Sequence, residues 1–364
     1  MPLKSICGQP LHSKRMASQV KDEAWLEWIT GLMGAGSRQR DSATLPPGRF
    51  HCLLDELPLH LIPPRQLESQ RWAQDLPHQQ LFLNPECLVL PPGQLPAELE
   101  LHRHLLENFN LQDSVAWVRD PATGSLHPFW LGPKLEAVVS RLRAGERVSA
   151  TVPRDICCLL ASAGIVTPEE QAGRRLAEWA EVVRKSTRGF REKGYMPVGN
   201  LIHPFNLAAL RRYYRHAIRR GAIPLGDEQS PRRYTFHNES VARFFHHQIT
   251  NAVSAIVGEV LKPSYVYLAS YLSGAELKKH TDRQQCEFSV TLCLDFSPEP
   301  QVATSWPICL DTAEGTVRVY QALGDGLVYR GTEVPHYRGV LPEGYTSTSI
   351  FFHYVPEGFS GPLE

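Results

Sequence analysis

Hydrophobic and polar positions change their period along the chain, and the change divides it. From Leu131 to Ser186 the spacing is helical, with Leu135, Val138, Val139 and Leu142 recurring three and four apart. Thr151-Val152-Pro153 opens another helix, which Gly164 ends. Thr167-Pro168-Glu169-Glu170 reads as an N-cap, a proline at the first helical position and acids in the first turn. Asn206 is placed to cap a helix whose apolar face is Leu207, Leu210, Tyr214 and Ile218, closed by Gly221. A further helix spans Ser240 to Val257, with Val241, Phe245, Ile249, Val253 and Ile256 inward and His246 and His247 on its surface. After Lys262 the period becomes two. Strands are predicted at 264–272, 287–295, 306–310, 316–321, 326–329, 334–340 and 347–355. Short strands separated by Gly and Pro turns predict a closed or two-sheet β architecture, with the preceding helices packed on one outer face.

Upstream the texture differs. Residues 1–45 form a polar tail with one short amphipathic piece at 23–33. Between Arg49 and Leu101, Pro58, Pro63, Pro64, Pro85, Pro91 and Pro92 exclude long helices. The division that follows is a tail at 1–45, a mixed accessory region at 46–185 and a C-terminal domain at 186–364. Within the accessory region, 131–166 weakly resembles small winged-helix modules that grip peptide substrates in natural-product pathways. The fold class expected overall is α+β.

Charge and cysteine usage narrow the partners. The 364 residues carry a formal net charge of 0, so no global attraction to nucleic acid or to an anionic membrane is expected. No apolar run reaches the roughly 18–20 residues of a membrane helix. The 8 cysteines form no CxxC pair, and the N-terminus shows no secretory apolar region, so reduced thiols in a cytoplasmic protein are expected. Arg211, Arg212, Arg215, Arg219 and Arg220 on one helix read as a solvated face. The expected partner is a small-molecule or peptide substrate. The pattern sets no oligomeric state.

One constellation carries chemistry. His280-Thr281-Asp282 lies after one apolar stretch, and His336 follows later within Pro335-His336-Tyr337-Arg338-Gly339. Two imidazoles and one carboxylate leave half of an octahedral ion's positions open, which is the facial triad of non-haem Fe(II) oxygenases. His280 and Asp282 are two apart, so an extended segment puts them on one face.

The motifs around these residues resemble the 2-oxoglutarate- and Fe(II)-dependent oxygenase superfamily, near its prolyl-hydroxylase-like branch. Tyr271-Leu272-Ser273-Gly274 leading into His280-Thr281-Asp282 matches that branch's tyrosine, glycine and HxD order. Gly324-Asp325 before a run ending at Gly331 matches its penultimate turn, and Phe351-Phe352-His353-Tyr354-Val355 is similar to the closing strand of bacterial members. The resemblance covers about 190–355. It implies a double-stranded β-helix, or jelly-roll, catalytic core. It also implies Fe(II) held by His280, Asp282 and His336, and 2-oxoglutarate as co-substrate. A carboxylate at Asp282 implies hydroxylation or a related oxidation rather than halogenation. The chain departs from the family at the keto-acid clamp, because Thr346-Ser347-Thr348 stands where a basic residue is usual and no Lys or Arg follows Arg338. Arg338, on the same strand face as His336, is the expected clamp, with Arg330 as the reserve. Tyr271 and Tyr267 are candidate hydroxyl donors to the same acid. Two alternatives stand beside this reading: a cupin-type metalloenzyme (isomerase or hydrolase) on the same fold, and a non-catalytic binding module.

Overall fold

The computed structural model describes residues 48–63, 65, 66, 73 and 80–364. The polar tail at 1–45, with its amphipathic piece, lies outside them. The N-terminal elements are β1 (Leu81–Leu83), β2 (Cys87–Leu90), α1 (Ala97–Glu100), β3 (Val115–Arg119), β4 (Leu126–Trp130), α2 (Pro133–Val139), α3 (Arg154–Ser162) and β5 (Val166–Pro168). There follow α4 (Gln171–Lys193), β6 (Tyr195–Val198), α5 (Pro204–Arg219), β7 (Arg233–His237) and α6 (Ser240–Val257). The last stretch is mostly strand: β8 (Leu261–Tyr271), β9 (Leu277–His280), β10 (Phe288–Ser297), β11 (Ile308–Thr312), β12 (Gly315–Val319), β13 (Gly326–Arg330), β14 (His336–Arg338) and β15 (Thr346–Pro356), with one short helical turn at Gln284–Cys286.

Strands β8 to β15 pass back and forth between two antiparallel sheets. The larger is six-stranded in the order β6-β13-β10-β15-β8-β7, and the smaller is four-stranded in the order β12-β11-β14-β9. This is a jelly roll: β8 to β15 split between the two sheets, and β6 and β7 extend the larger one at its edges. The sheets meet across the interior, where Ile308 and Leu310 of β11 pack on Leu327 and Tyr329 of β13. All seven predicted strands are present, with shifted ends. β6, β7 and β9 are additional, and each is five residues or shorter.

The larger sheet has one apolar and one mixed face. Phe288, Val290 and Leu292 of β10 and Ile350, Phe352 and Tyr354 of β15 belong to the main core with Phe244, Phe245, Ile249, Val253 and Ile256 of α6. That core continues into the N-terminal region. Phe50, Phe109, Trp117 and Trp130 belong to it, and the Phe109 and Phe244 rings stand 5.0 Å apart. Helix α4 runs through the 185/186 boundary drawn from the sequence. It closes at Gly194 (φ 74), whose N–H bonds to Phe190 O. At 131–166 the structure has α2 and α3, after which β5 pairs with β1.

Four local expectations are corrected. Thr167-Pro168 does not cap a helix: both lie in β5, paired with Phe82 and Leu81, and α4 begins at Gln171. The α5 cap is His203, which accepts from Phe205 N, while Asn206 is buried in the first turn and donates to Pro128 O. Arg211 is not solvated. It is fully buried, with Nη2 2.9 Å from Asp295 Oδ1 and 2.9 Å from Glu299 Oε2. His246 is buried, and its Nε2 meets His353 O at 2.9 Å. The last two share a cause. A long helix packed on a sheet on one side and on a further region on the other covers positions that a single amphipathic face would leave wet.

Candidate metal centre

Three side chains from two short strands and the turn after the first converge. His280 ends β9 and His336 begins β14, and the two are directly paired in the ladder. Their rings are 4.3 Å apart between centroids. Asp282 follows β9 and is pinned by its N–H to Gly331 O at 2.8 Å. Asp282 Oδ1 lies 3.7 Å from His280 Nε2 and 3.5 Å from His336 Nε2. One donor atom from each residue falls within a 4.8 Å group. Ligands about 2 Å from one ion at right angles stand about 3 Å apart, so a small contraction closes the set.

The tautomers suit ligation. His280 Nδ1 is 2.7 Å from Lys278 O, and His336 Nδ1 is 3.0 Å from Val334 O. A carbonyl only accepts, so both Nδ1 atoms carry the proton and both Nε2 lone pairs face Asp282. Burial and then the neighbouring His336 pull the His280 pKa down, which keeps the ring neutral near pH 7. Burial alone would raise the Asp282 pKa, but the neighbouring His336 and His353 rings and the Ser289 hydroxyl hold it below the ordinary value. Ser289 Oγ donates to Asp282 Oδ2 at 2.7 Å.

Arg338 lies two residues beyond His336, and both are buried on the inward side of β14. Its Nη1 donates to Trp306 O at 2.8 Å and its Nη2 to Gln321 Oε1 at 3.0 Å. Its Nε has no partner, and among the described residues no ion pair includes it. A buried guanidinium held only by neutral acceptors has uncompensated positive charge. Burial pulls its pKa down, while nearby Cys293 and Tyr271 oppose the shift.

The other candidates are placed differently. Tyr271 is buried and is within electrostatic reach of Arg233 and Arg338. Burial pushes its hydroxyl pKa up, and the two guanidiniums oppose that. Tyr267 is engaged elsewhere, its hydroxyl donating to Asp227 Oδ2 at 2.7 Å. Arg330 is not brought into the site. It is paired with Phe288 on the outer face of the larger sheet, lies over the Phe190 and Phe288 rings, and bonds Glu333 at 3.3 Å. Strand alternation is the reason: Tyr329 faces inward, so Arg330 faces out.

Several neighbours were missed. Tyr329 sends its hydroxyl to 3.4 Å from His336 Nε2. Ser289, Gln321 and Trp306 hold Asp282 and Arg338, and Arg233 stands over Tyr271 at 5.8 Å. The available signal for Ser289 and Tyr329 was a polar side chain in the inward phase of a strand otherwise filled by aliphatic residues. Gln321 and Trp306 lie outside the strands, and nothing in their spacing marks them.

No protein-family profile and no curated protein sequence matches the chain. Solved structures similar to it include a Pseudomonas putida prolyl-4-hydroxylase, 18% identical, covering 48% of this chain and 100% of that one, TM-score 0.39. AviO1 from Streptomyces viridochromogenes is 19% identical, covering 49% and 97%, TM-score 0.41. The non-haem α-ketoglutarate-dependent carbocyclase SnoK is 11% identical, covering 47% and 83%, TM-score 0.40. These are similarities at low TM-score, and the strand order of this chain stands on its own hydrogen bonds.

Proposed function

We propose that this chain is a 2-oxoglutarate- and Fe(II)-dependent dioxygenase that hydroxylates a C–H bond of an amino acid, peptidyl or small-metabolite substrate. The observation that carries the reading is one juxtaposition. Three donors of the facial type converge on β9 and β14, and two residues further along β14 a buried guanidinium keeps Nε unpartnered. The residues fit both groups. Two imidazoles and a carboxylate suit Fe(II). Arg338 offers a buried cation to a distal carboxylate, with the Tyr271 hydroxyl as a second donor.

Iron with the keto acid and O2 supplies the C–H oxidation, releasing succinate and CO2. The protein's own part is positional. Lys278 O and Val334 O fix the histidine tautomers, and Ser289 orients the Asp282 carboxylate. Trp306 covers the Arg338 guanidinium at 5.0 Å, which keeps water from it. In this reading residues 186–364 carry the chemistry, and 46–185 shape access to it. The similar solved structures include a hydroxylase, a carbocyclase and an epimerase, so hydroxylation is the specific part of the proposal.

The test is anaerobic Fe(II) loading followed by O2 and 2-oxoglutarate, with succinate measured against a metabolite and peptide library. Iron-dependent succinate, raised by a subset of compounds, is the expected result. Stoichiometric metal with no succinate under any condition would replace this reading with the isomerase or hydrolase alternative.

A further inference from the structure

The two oxygens of Asp282 face different surroundings. Oδ1 faces the Nε2 atoms of His280 and His336. Oδ2 accepts from Ser289, and beyond it lie Cys286 and His353. One donor atom each from Asp282, Cys286 and His353 also falls within a 4.8 Å group. Among the described residues these two groups are the ones whose donor atoms gather in this way.

The rear group is enclosed and held. Cys286 is 1% exposed and His353 6%. Cys286 ends the short helical turn Gln284–Cys286 before β10, and its Sγ is 3.0 Å from Tyr265 Oη. His353 lies in β15 directly opposite Ser289, with Nδ1 2.9 Å from Ser289 Oγ. The Tyr265 and His353 rings are 4.7 Å apart. Gly331 completes the wall: a Cβ there would overlap Cys286 O and Asp282 Oδ2. Any larger residue at 331 would push the group apart.

The donor chemistry differs from that of the front set. Nitrogen, nitrogen and carboxylate oxygen suit iron, whereas thiolate, imidazole and carboxylate suit Zn2+ and other thiophilic ions with tetrahedral preference. We propose that Asp282, Cys286 and His353 form a second metal site, selective for thiophilic divalent ions, which shares Asp282 with the facial set. On binding, the Cys286 S–H proton leaves to solvent and the thiolate becomes a ligand, with no change of oxidation state. One carboxylate then serves two sets, so an ion at the rear withdraws charge from the front and weakens iron retention. Zn2+ would inhibit through the rear site as well as by replacing iron.

Cobalt(II) tests this without reference to 2-oxoglutarate, so failure here leaves the oxygenase reading standing, and the reverse. His336→Ala breaks the front set, and the reduced, metal-free variant is titrated with Co2+ under anaerobic conditions. The expected result is a near-ultraviolet thiolate-to-cobalt absorption that saturates at one equivalent. The double variant His336→Ala/Cys286→Ser should lack it. No thiolate band in His336→Ala, or an undiminished band in the double variant, overturns the proposal. His353→Gln in the same background retains every cysteine and covers the case in which Cys286→Ser does not fold. It should weaken cobalt binding at least tenfold, and unchanged affinity would also overturn the site.

Discussion

The two faces of the six-stranded sheet come from the same strands and differ in almost everything else. On β10 and β15, Phe288, Val290, Leu292, Ile350, Phe352 and Tyr354 face α6 and join a core that reaches Trp117 and Trp130. Between them, Ser289, Thr291, Ser349 and His353 face the barrel interior, and each is buried. Burial is therefore not the difference. The outer face is filled by side chains without polar atoms, except Tyr354, whose hydroxyl donates to His246 O. The inner face keeps polar atoms that orient one another around Asp282, and across the interior on β14 the Nε of Arg338 is left without a partner. One-residue alternation thus separates stability from chemistry within a single strand.

The largest effect should come from the donors themselves. Asp282→Ala or His336→Ala removes one of three ligands, and Fe(II) binding together with any iron-dependent turnover should fall below detection. The fold should persist, because neither side chain belongs to the main core. Metal analysis after desalting, with circular dichroism as the control, decides it. Full iron content in either variant would break the assignment of the front set.

On the outer face Phe352→Ala should act in the opposite sense. Phe352 is fully buried in the main core. Its loss should cost about 3–5 kcal/mol of stability. Iron affinity of the molecules that remain folded should be unchanged, as read by denaturant titration beside metal binding. Loss of metal affinity in the folded fraction would show that the two faces are not separable.

Acid should unfold the protein through groups on both sides of the barrel wall. Burial holds the His353 pKa down to about 4 and the His203 pKa down to about 3, against 6.5 for the free residue. Below pH 6.5 the unfolded chain takes protons that the folded one refuses. Stability is therefore fully present above pH 6.5 and falls as the pH drops toward 4 and 3. At roughly 1.4 kcal/mol per pH unit the loss approaches about 3 kcal/mol for His353 and about 5 kcal/mol for His203. Thermal unfolding measured from pH 7 to pH 4 should show a steady fall, and a flat profile would mean that these rings are solvated. Ser289→Ala is the milder companion. It removes the hydroxyl between Asp282 and His353 and should lower metal affinity about tenfold at unchanged fold.

Much of this was legible before the structure, and the illegible part has physical causes. The runs carrying His336 and the closing Ser347–Val355 segment are bounded by turn residues and rich in β-branched and aromatic side chains, so their existence was readable, and the spacing of two put His336 and Arg338 on one face. β9 was not, because Leu277–His280 is four residues long with exposed Lys278 and Lys279, and tertiary pairing to β14 alone makes it a strand. The grouping of His280, Asp282 and His336 was readable as a motif. The groups that hold them were not. Ser289 and Gln321 act through tertiary contacts from separate parts of the chain, and no local spacing records those. Arg330 was misplaced as a reserve clamp because β13 was identified as a strand without its phase being set. The Arg211 ion cluster was invisible for a similar reason, since Asp295 and Glu299 join it from the far side of the fold.

Arg338 against Arg330 is the sharpest remaining contrast, one basic side chain facing in and one facing out. The decisive measurement is calorimetric titration of 2-oxoglutarate into anaerobic Fe(II)-loaded protein for the wild type, Arg338→Met and Arg330→Met. A charge-assisted bond is worth roughly 1.5–3 kcal/mol. Arg338→Met should therefore weaken 2-oxoglutarate binding by about one to two orders of magnitude with iron retained. Arg330→Met should bind it as the wild type does. Equal binding by wild type and Arg338→Met, or a loss confined to Arg330→Met, would contradict the account.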